Sequence, residues 1–129
     1  MLAVDTSLIV RYLTRDDADQ FARAVAVMEG AGIIISTTVL LETEWVLRSG
    51  YHYGPRQIVD AFRALAGLPG VALEDAASAR QALDWVERGM DFADALRLAK
   101  AQAYEAFITF DKRLIATAAN LSPVPVRLP

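Results

Sequence analysis

Four acidic residues of this sequence could act together chemically: Asp5, Glu42, Asp94 and Asp111. Asp5 and Asp111 each follow a short apolar run that reads as a buried strand. In open α/β sheets, ligands bind at the edge formed by the carboxyl ends of the strands. Carboxylates gathered in one small space repel each other unless a cation lies between them. We therefore predict that these four side chains hold Mg²⁺ or Mn²⁺.

The composition limits the ligands that such a metal site can use. The chain has no cysteine and one histidine, His52, so a thiolate site or a histidine cluster is excluded. A metal held by oxygen alone points to a hard divalent cation. His52 lies between two tyrosines in a loop flanked by glycines, where we expect a surface residue without a chemical role.

Length, composition and net charge limit the classes of protein to which the chain can belong. The chain has 129 residues, of which 54% are hydrophobic and 22% charged, so we expect one domain over residues 1–129 with a real core. The net charge of −3 counts against a broad nucleic-acid footprint, and a nucleic-acid substrate would need a local basic patch or the metal itself. The longest apolar run, residues 31–41, is too short to span a bilayer, and the first residues do not resemble a signal peptide. We expect a cytoplasmic protein with no membrane partner.

Short apolar runs alternate with helical patterns along the whole chain. This alternation predicts an α/β fold with a central, mainly parallel sheet of four to five short strands flanked by about seven helices. Residues 2–4 are expected to form a central, buried strand that carries Asp5 at its end. The last segment contains three prolines, so a strand at residues 124–127 must lie at an edge.

The predicted helix over residues 36–48 carries two acidic residues whose surroundings differ. Glu44 has Arg48 four residues further on, which predicts an exposed ion pair. Glu42 lies at the margin of the predicted inward face and has no local cation to compensate it. Glu42 therefore needs some other partner. The inward face is predicted to comprise Val39, Leu40, Val46 and Leu47.

Helix capping offers another explanation for Asp94 and Asp111. Asp91 fits an N-cap, with Asp94 at the third helical position, and Asp111 fits the N-cap of a helix over residues 112–118. For Asp94 taken alone, the two explanations carry equal weight. The coincidence of two strand-end aspartates with Glu42 and Asp94 favours the shared site.

Four segments carry a resemblance to a known family. They are Leu-Ala-Val-Asp-Thr-Ser at residues 2–7, Thr-Thr-Val-Leu-Leu-Glu-Thr-Glu-Trp at 37–45, Asp-Phe-Ala-Asp-Ala-Leu at 91–96, and Phe-Ile-Thr-Phe-Asp at 107–111. In this order and spacing they resemble the PIN-domain family. More narrowly, they resemble the VapC toxin ribonucleases of bacterial and archaeal toxin–antitoxin pairs.

The resemblance implies a three-layer PIN-like fold and a metal-dependent endoribonuclease that hydrolyses RNA phosphodiester bonds. It assigns the metal and the catalysis to the carboxylates of Asp5, Glu42, Asp94 and Asp111. It also implies that the hydroxyls of Thr6 and Thr109 support these carboxylates or the scissile phosphate. Candidates for guiding the RNA backbone, although cations are mostly exposed wherever they occur, are Arg11, Arg15, Arg97, Lys112 and Arg113.

Two positions depart from the family pattern. Ser7 stands where the toxins commonly have asparagine, and serine has a shorter reach and a single donor. Leu114 stands where an aromatic residue is frequent, a difference that we assign to packing alone.

The resemblance also implies partners. VapC-like proteins pair as homodimers through helices of their first half and bind a small VapB-like antitoxin that covers the active-site groove. Aromatic residues are enriched at interfaces, which makes Phe21, Trp45, Tyr51 and Tyr53 candidates, although burial in the core is the expectation for Phe21 and Trp45.

Two other functional classes compete with this hypothesis. The first is a PIN-fold binding module with weakened or no nuclease activity, which only Ser7 favours. The second is a phosphoacceptor receiver domain, which would need an acidic pair at the first strand and an aspartate after the third. The apolar run Ile33–Ile35 is followed by Ser36 instead, which argues against it.

Overall fold

The computed structural model describes residues 1–129 and has seven helices and five short strands. The helices are α1 (Thr6–Thr14), α2 (Ala18–Met28), α3 (Thr37–Gly50), α4 (Pro55–Ala66), α5 (Ala76–Glu87), α6 (Phe92–Lys100) and α7 (Lys112–Ala118). The strands are β1 (Leu2–Ala3), β2 (Ile33–Ile35), β3 (Val71–Leu73), β4 (Phe107–Ile108) and β5 (Val126–Arg127). The predicted α/β class and the numbers of helices and strands are confirmed.

All strand pairings are parallel, as predicted. Strands β1, β2 and β3 form a three-stranded sheet in that order, and β4 pairs with β5. The prediction that the first strand is central and buried was wrong, because β1 is an edge strand of its sheet and Leu2 is 53% exposed. The central strand is β2, whose Ile33 and Ile35 are at most 1% exposed. An apolar run identifies a strand but does not tell how many neighbours it has.

The chain divides into two compact units, Met1–Ala76 and Ala77–Pro129. That residues 1–129 form one domain stays a prediction. The first unit contains the three-stranded sheet with α1, α2, α3 and α4, and α1 packs against both α2 and α3. Its largest buried side chains are Ile9, Ile33, Ile35, Leu47, Val59, Phe62 and Leu65.

The second unit contains α5, α6, α7 and the β4–β5 pair. Helix α6 is tightly packed, as its small residues predict, since Ala95 and Leu98 are fully buried. Leu114 is buried on α7, in agreement with a packing role at that position. Strand β5 pairs only with β4, so the proline-rich segment contributes an edge strand as predicted.

Helix α3 buries Leu40 and Leu47 as predicted, whereas Val39 and Val46 of the predicted inward face are only half-buried. Its buried residues are Leu40, Thr43, Glu44 and Leu47, which are spaced as one helical stripe. Thr43 tolerates burial because its hydroxyl donates to the Val39 carbonyl at 2.7 Å. The predicted pair of Glu44 and Arg48 is present at 2.9 Å, but Glu44 is buried rather than exposed.

None of the helices combines the length and the hydropathy needed to cross a lipid bilayer.

Candidate functional site

Asp5 follows β1 and is the N-cap of α1. Its Oδ1 accepts a hydrogen bond from the Thr6 N–H at 2.8 Å, and its Oδ2 accepts one from the Ser7 hydroxyl at 3.4 Å. The carboxylate is exposed. Ser7 therefore contacts the acid that it follows, even though it replaces the asparagine of the family pattern.

Thr6 carries an unsatisfied polar atom. The residue is 6% exposed, and its buried Oγ1 has no hydrogen-bond partner. Leaving a buried hydroxyl unpaired costs roughly 1–3 kcal/mol, and such atoms in native proteins call for an explanation. This oxygen lies directly after Asp5 and out of contact with solvent, and the supporting role that the resemblance assigns to it stays a prediction.

Glu42 is exposed on α3 and makes neither a hydrogen bond nor an ion pair. Glu44, two residues further on, is buried and bound to Arg48. The prediction that no local cation compensates Glu42 is confirmed. Of the two glutamates, only Glu42 has its carboxylate available for a ligand.

Asp94 lies in the first turn of α6, three residues after the N-cap. Asp91 is that N-cap, and its Oδ2 accepts the Asp94 N–H at 3.1 Å, so the capping explanation is correct for Asp91. The Asp94 carboxylate itself is partly buried and accepts from Arg97 at 3.2 Å. Burial raises its pKa, the charges of Asp91 and Asp111 raise it further, and Arg97 opposes the shift. A cation at this position would relieve the same repulsion.

Asp111 is the N-cap of α7, which confirms the capping prediction for this residue. Its Oδ1 accepts the N–H groups of Arg113 and Leu114, both at 3.0 Å. The hydroxyl of Thr109 accepts the Asp111 N–H at 3.0 Å and so fixes the backbone before the cap. Because both capping bonds use Oδ1, the other oxygen of Asp111 has no protein donor. Capping and metal binding are therefore compatible at this residue.

The four acids are distributed evenly between the two units. Asp5 and Glu42 belong to the first, and Asp94 and Asp111 belong to the second, where their charges interact. In neither unit do three or more histidine, aspartate or glutamate side chains form a group that could hold a metal ion. The convergence of all four stays a prediction. The donors are carboxylates and hydroxyls, a set that suits a hard cation such as Mg²⁺ or Mn²⁺.

The five candidate cations differ in how far they are already engaged. Arg97 binds Asp94, and the Arg15 guanidinium lies 4.9 Å from the centre of the Phe21 ring. Lys112 and Arg113 are exposed, and their side chains have no acidic partner. They are the cations best placed to meet phosphate.

Arg11 takes part in a polar network that the sequence analysis missed. It donates to Gln20 at 2.6 Å, to Tyr51 at 3.1 Å and to Asp16 at 3.3 Å. Tyr51 and Thr14 donate in turn to Asp16, and these hydrogen bonds lower the pKa of its carboxyl. The Tyr51 bond and the Asp16 charge raise the pKa of Arg11. From the sequence, Tyr51 was only an interface candidate. No local pattern predicts its hydrogen bond to Asp16, which lies 35 residues earlier in the chain.

A groove of about 480 Å³ runs along α1 and α2 in the first unit. Ser7 lines one end of it, next to Asp5, and its polar wall includes Arg11, Gln20 and Arg23. Leu8, Ala24 and Val27 add apolar surface. The groove thus offers cations and apolar contacts beside one of the candidate ligands.

Comparison with protein families gives a match. The family model described as PIN domain matches residues 2–120, which is most of the chain. None of the curated proteins matches the chain significantly.

Proposed function

Since the chain belongs to the PIN-domain family, we propose that it is a VapC-type toxin, a metal-dependent endoribonuclease neutralised by a cognate VapB-like antitoxin. PIN domains are generally nucleases that use divalent metal ions, and they often belong to toxin–antitoxin systems. One observation carries the proposal. The four carboxylates that the resemblance assigns to the metal, Asp5, Glu42, Asp94 and Asp111, all lie within the matched residues 2–120, and Glu42 has no partner within the protein.

The proposed site uses oxygen ligands only. Asp5, Glu42, Asp94 and Asp111 would hold Mg²⁺ or Mn²⁺, which supplies an activated water and offsets charge on the phosphoryl group when bound. Such chemistry requires no protein nucleophile. His52, the one histidine, is exposed in the loop after α3.

The remaining polar residues position the carboxylates and the RNA. Ser7 orients the Asp5 carboxylate, and Thr109 fixes the backbone at Asp111. The family resemblance assigns to Thr6, whose hydroxyl is buried, the support of a carboxylate or of the scissile phosphate. Lys112 and Arg113 bind flanking phosphates. As the family resemblance implies, the products carry 5′-phosphate and 3′-hydroxyl ends.

The proposal includes partners. RNA is the substrate, and we propose a cytoplasmic homodimer that binds its antitoxin in the groove along α1 and α2. The exposed Trp45 supports a protein contact on α3, because a large aromatic side chain 58% exposed is typical of interfaces. Leu8, Ala24 and Val27 in the groove suit an antitoxin segment with apolar residues, since Arg11 and Arg23 are already paired with Asp16 and Asp19.

The alternative is a PIN-fold module that binds RNA or an antitoxin without cleaving. It is favoured only by Ser7, which stands where the toxins commonly have asparagine. The contact between Ser7 and Asp5 argues against it, because the substituted position still supports the first carboxylate.

Metal dependence is the decisive test. Purified protein is incubated with cellular RNA and Mg²⁺ or Mn²⁺, then with a chelator, and finally with metal restored. We expect cleavage that stops on chelation and returns with the metal. Cleavage that persists in the chelator would reject the mechanism, and RNA binding without any cleavage would favour the binding module.

A pair of matched variants ties the activity to the site. Glu42→Gln removes a charge that no protein group compensates, and it should lower cleavage by on the order of 10²-fold or more. Glu105→Gln alters another exposed glutamate without a partner and should leave cleavage unchanged. Equal activity in both variants would remove Glu42 from the site.

A further inference from the structure

Phe110 is the most exposed of the large hydrophobic side chains. It is 82% exposed and stacks on no other ring or guanidinium. It directly precedes Asp111, a proposed metal ligand. An apolar ring left in water next to a candidate active-site residue has no structural role that accounts for it.

The backbone on both sides of Phe110 is fixed. The Thr109 N–H donates to the Arg127 carbonyl at 3.0 Å, which ties this side to β5. On the other side, the Asp111 N–H is bound by the Thr109 hydroxyl, and the Asp111 carboxylate caps α7. The Phe110 ring therefore projects into solvent from a segment whose backbone is fixed. A ligand that binds the ring pays little conformational entropy to order this segment.

The immediate neighbours of Phe110 are mostly polar or charged. Lys112 and Arg113 follow Asp111, and both are exposed without an acidic partner. The apolar neighbours are Ile108, which ends β4 and is 48% exposed, and Leu128, which follows the paired strand β5 and is 42% exposed. The adjacent charges of Lys112 and Arg113 argue against the core of a protein interface, which is depleted of charged residues. One aromatic ring beside cations is the arrangement that binds single-stranded nucleic acid, in which bases stack and cations meet phosphates.

We propose that Phe110 stacks on an unpaired base of the RNA, next to the phosphate whose cleavage Asp111 assists, with Lys112 and Arg113 on the adjoining phosphates. This inference rests on the proposed nuclease function and adds to it a residue that binds the base next to the scissile phosphate. In a duplex both faces of a base are covered by its neighbours, so Phe110 selects single-stranded segments.

The test measures RNA affinity separately from cleavage. In the Glu42→Gln background with Mg²⁺ present, a fluorescently labelled single-stranded RNA of mixed sequence and its duplex are titrated by anisotropy. Phe110→Ala should weaken single-strand binding by about 5- to 100-fold, the range of one base–aromatic stack. Phe110→Trp should bind within about twofold of the parent, because a larger ring preserves stacking.

Two further variants control for loss of structure and for surface hydrophobicity. Tyr104→Ala removes another exposed aromatic side chain, 71% accessible, and should leave RNA affinity unchanged. Phe110→Leu keeps an apolar side chain without a ring and should bind as weakly as Phe110→Ala. Circular dichroism melting verifies that all variants fold.

The outcomes separate this inference from the proposed function. If the parent protein cleaves RNA but Phe110→Ala binds it normally, stacking is refuted and the nuclease stands. If Phe110→Ala loses binding but the parent never cleaves, stacking is supported and the nuclease is refuted. A shift in oligomeric state at unchanged RNA affinity would identify the surface as a protein contact and overturn the inference. A parent that neither binds nor cleaves RNA overturns both.

Discussion

At the scale of the residue, capping and metal binding need not be alternatives. Asp111 uses Oδ1 for both capping hydrogen bonds, which leaves its second oxygen without a donor. Asp5 likewise caps α1 through Oδ1 and accepts only a long bond from Ser7 on the other oxygen. A strand-end aspartate can thus begin the next helix and still present an oxygen outward.

The capping role and the proposed metal-binding role of Asp111 can be separated by mutation. Asparagine retains the capping oxygen but not the charge, so Asp111→Asn should keep its stability and lose RNA cleavage. Asp111→Ala removes both functions and should also lose about 1 kcal/mol of unfolding free energy. Urea unfolding and cleavage assays on the two variants test this. An asparagine variant with full activity would show that only the cap matters.

Asp94 gives a second prediction, based on its raised pKa. Folding raises the pKa of Asp94, so the protonated carboxyl favours the folded state and the ionised one disfavours it. The stability that the protonated form contributes is therefore present at low pH and lost as pH rises through the folded pKa. In chelator at pH 7, Asp94→Asn should be at least as stable as the parent. This advantage should vanish as the pH falls far enough to protonate Asp94.

Asp91→Ala is the control for this experiment, because it removes the cap of α6 and should cost about 1 kcal/mol at any pH above the carboxyl range. Urea unfolding is measured for all three proteins at neutral and acidic pH. If Asp94→Asn is the less stable protein at both pH values, its carboxylate stabilises the helix and the repulsion account fails.

At the scale of the element, the sequence predicted the helices, the parallel pairing and the capping residues. These depend on local signals such as periodicity and an aspartate before a helix. The inward face of α3 was not predictable in this way. Its stripe contains Thr43 and Glu44, which are buried only because the Val39 carbonyl and Arg48 satisfy them. Hydrophobicity therefore identified Leu40 and Leu47 of the inward face but missed Thr43 and Glu44, and Trp45 was wrongly expected in the core.

Contacts between distant elements were also beyond the sequence. The edge position of β1 depends on the order of strands, and the Arg11 network depends on the approach of α3 to the turn after α1. Neither feature can be predicted from the local sequence pattern. The candidate acids were found because each lies at a recognisable place in the chain, whereas their partners had to be read from the structure.

The Arg11 network predicts how acid affects the packing of these elements. Because Tyr51 and Thr14 lower the pKa of Asp16, the network stabilises the fold above the ordinary carboxyl pKa and loses this effect as pH falls through the folded value. Tyr51→Phe should therefore melt at a lower temperature than the parent at pH 7, with a difference that shrinks towards pH 2. Tyr53→Phe, which alters a neighbouring tyrosine outside the network, should follow the parent. A difference that does not change with pH would mean that Tyr51 acts by packing alone.

At the scale of the whole molecule, the net charge counts against broad binding to nucleic acid. A net charge of −3 leaves RNA binding to local cations and to the metal. With 54% hydrophobic residues, the protein exposes a large aromatic side chain on a helix that also carries Glu42. A protein partner on α3 would cover that side chain.

The proposed homodimer can be tested at Trp45. If the exposed indole is buried between two copies, its loss should cost about 2 kcal/mol, which raises the dimer dissociation constant about 30-fold. Sedimentation velocity over a dilution series should show Trp45→Ala dissociating at higher concentration than the parent, and Tyr104→Ala should match the parent. Because Trp45 is exposed within one copy, the monomer of the variant should melt as the parent monomer does. A parent that stays monomeric throughout the series, or a variant with unaltered association, would remove α3 from any interface between copies and leave the indole for another partner.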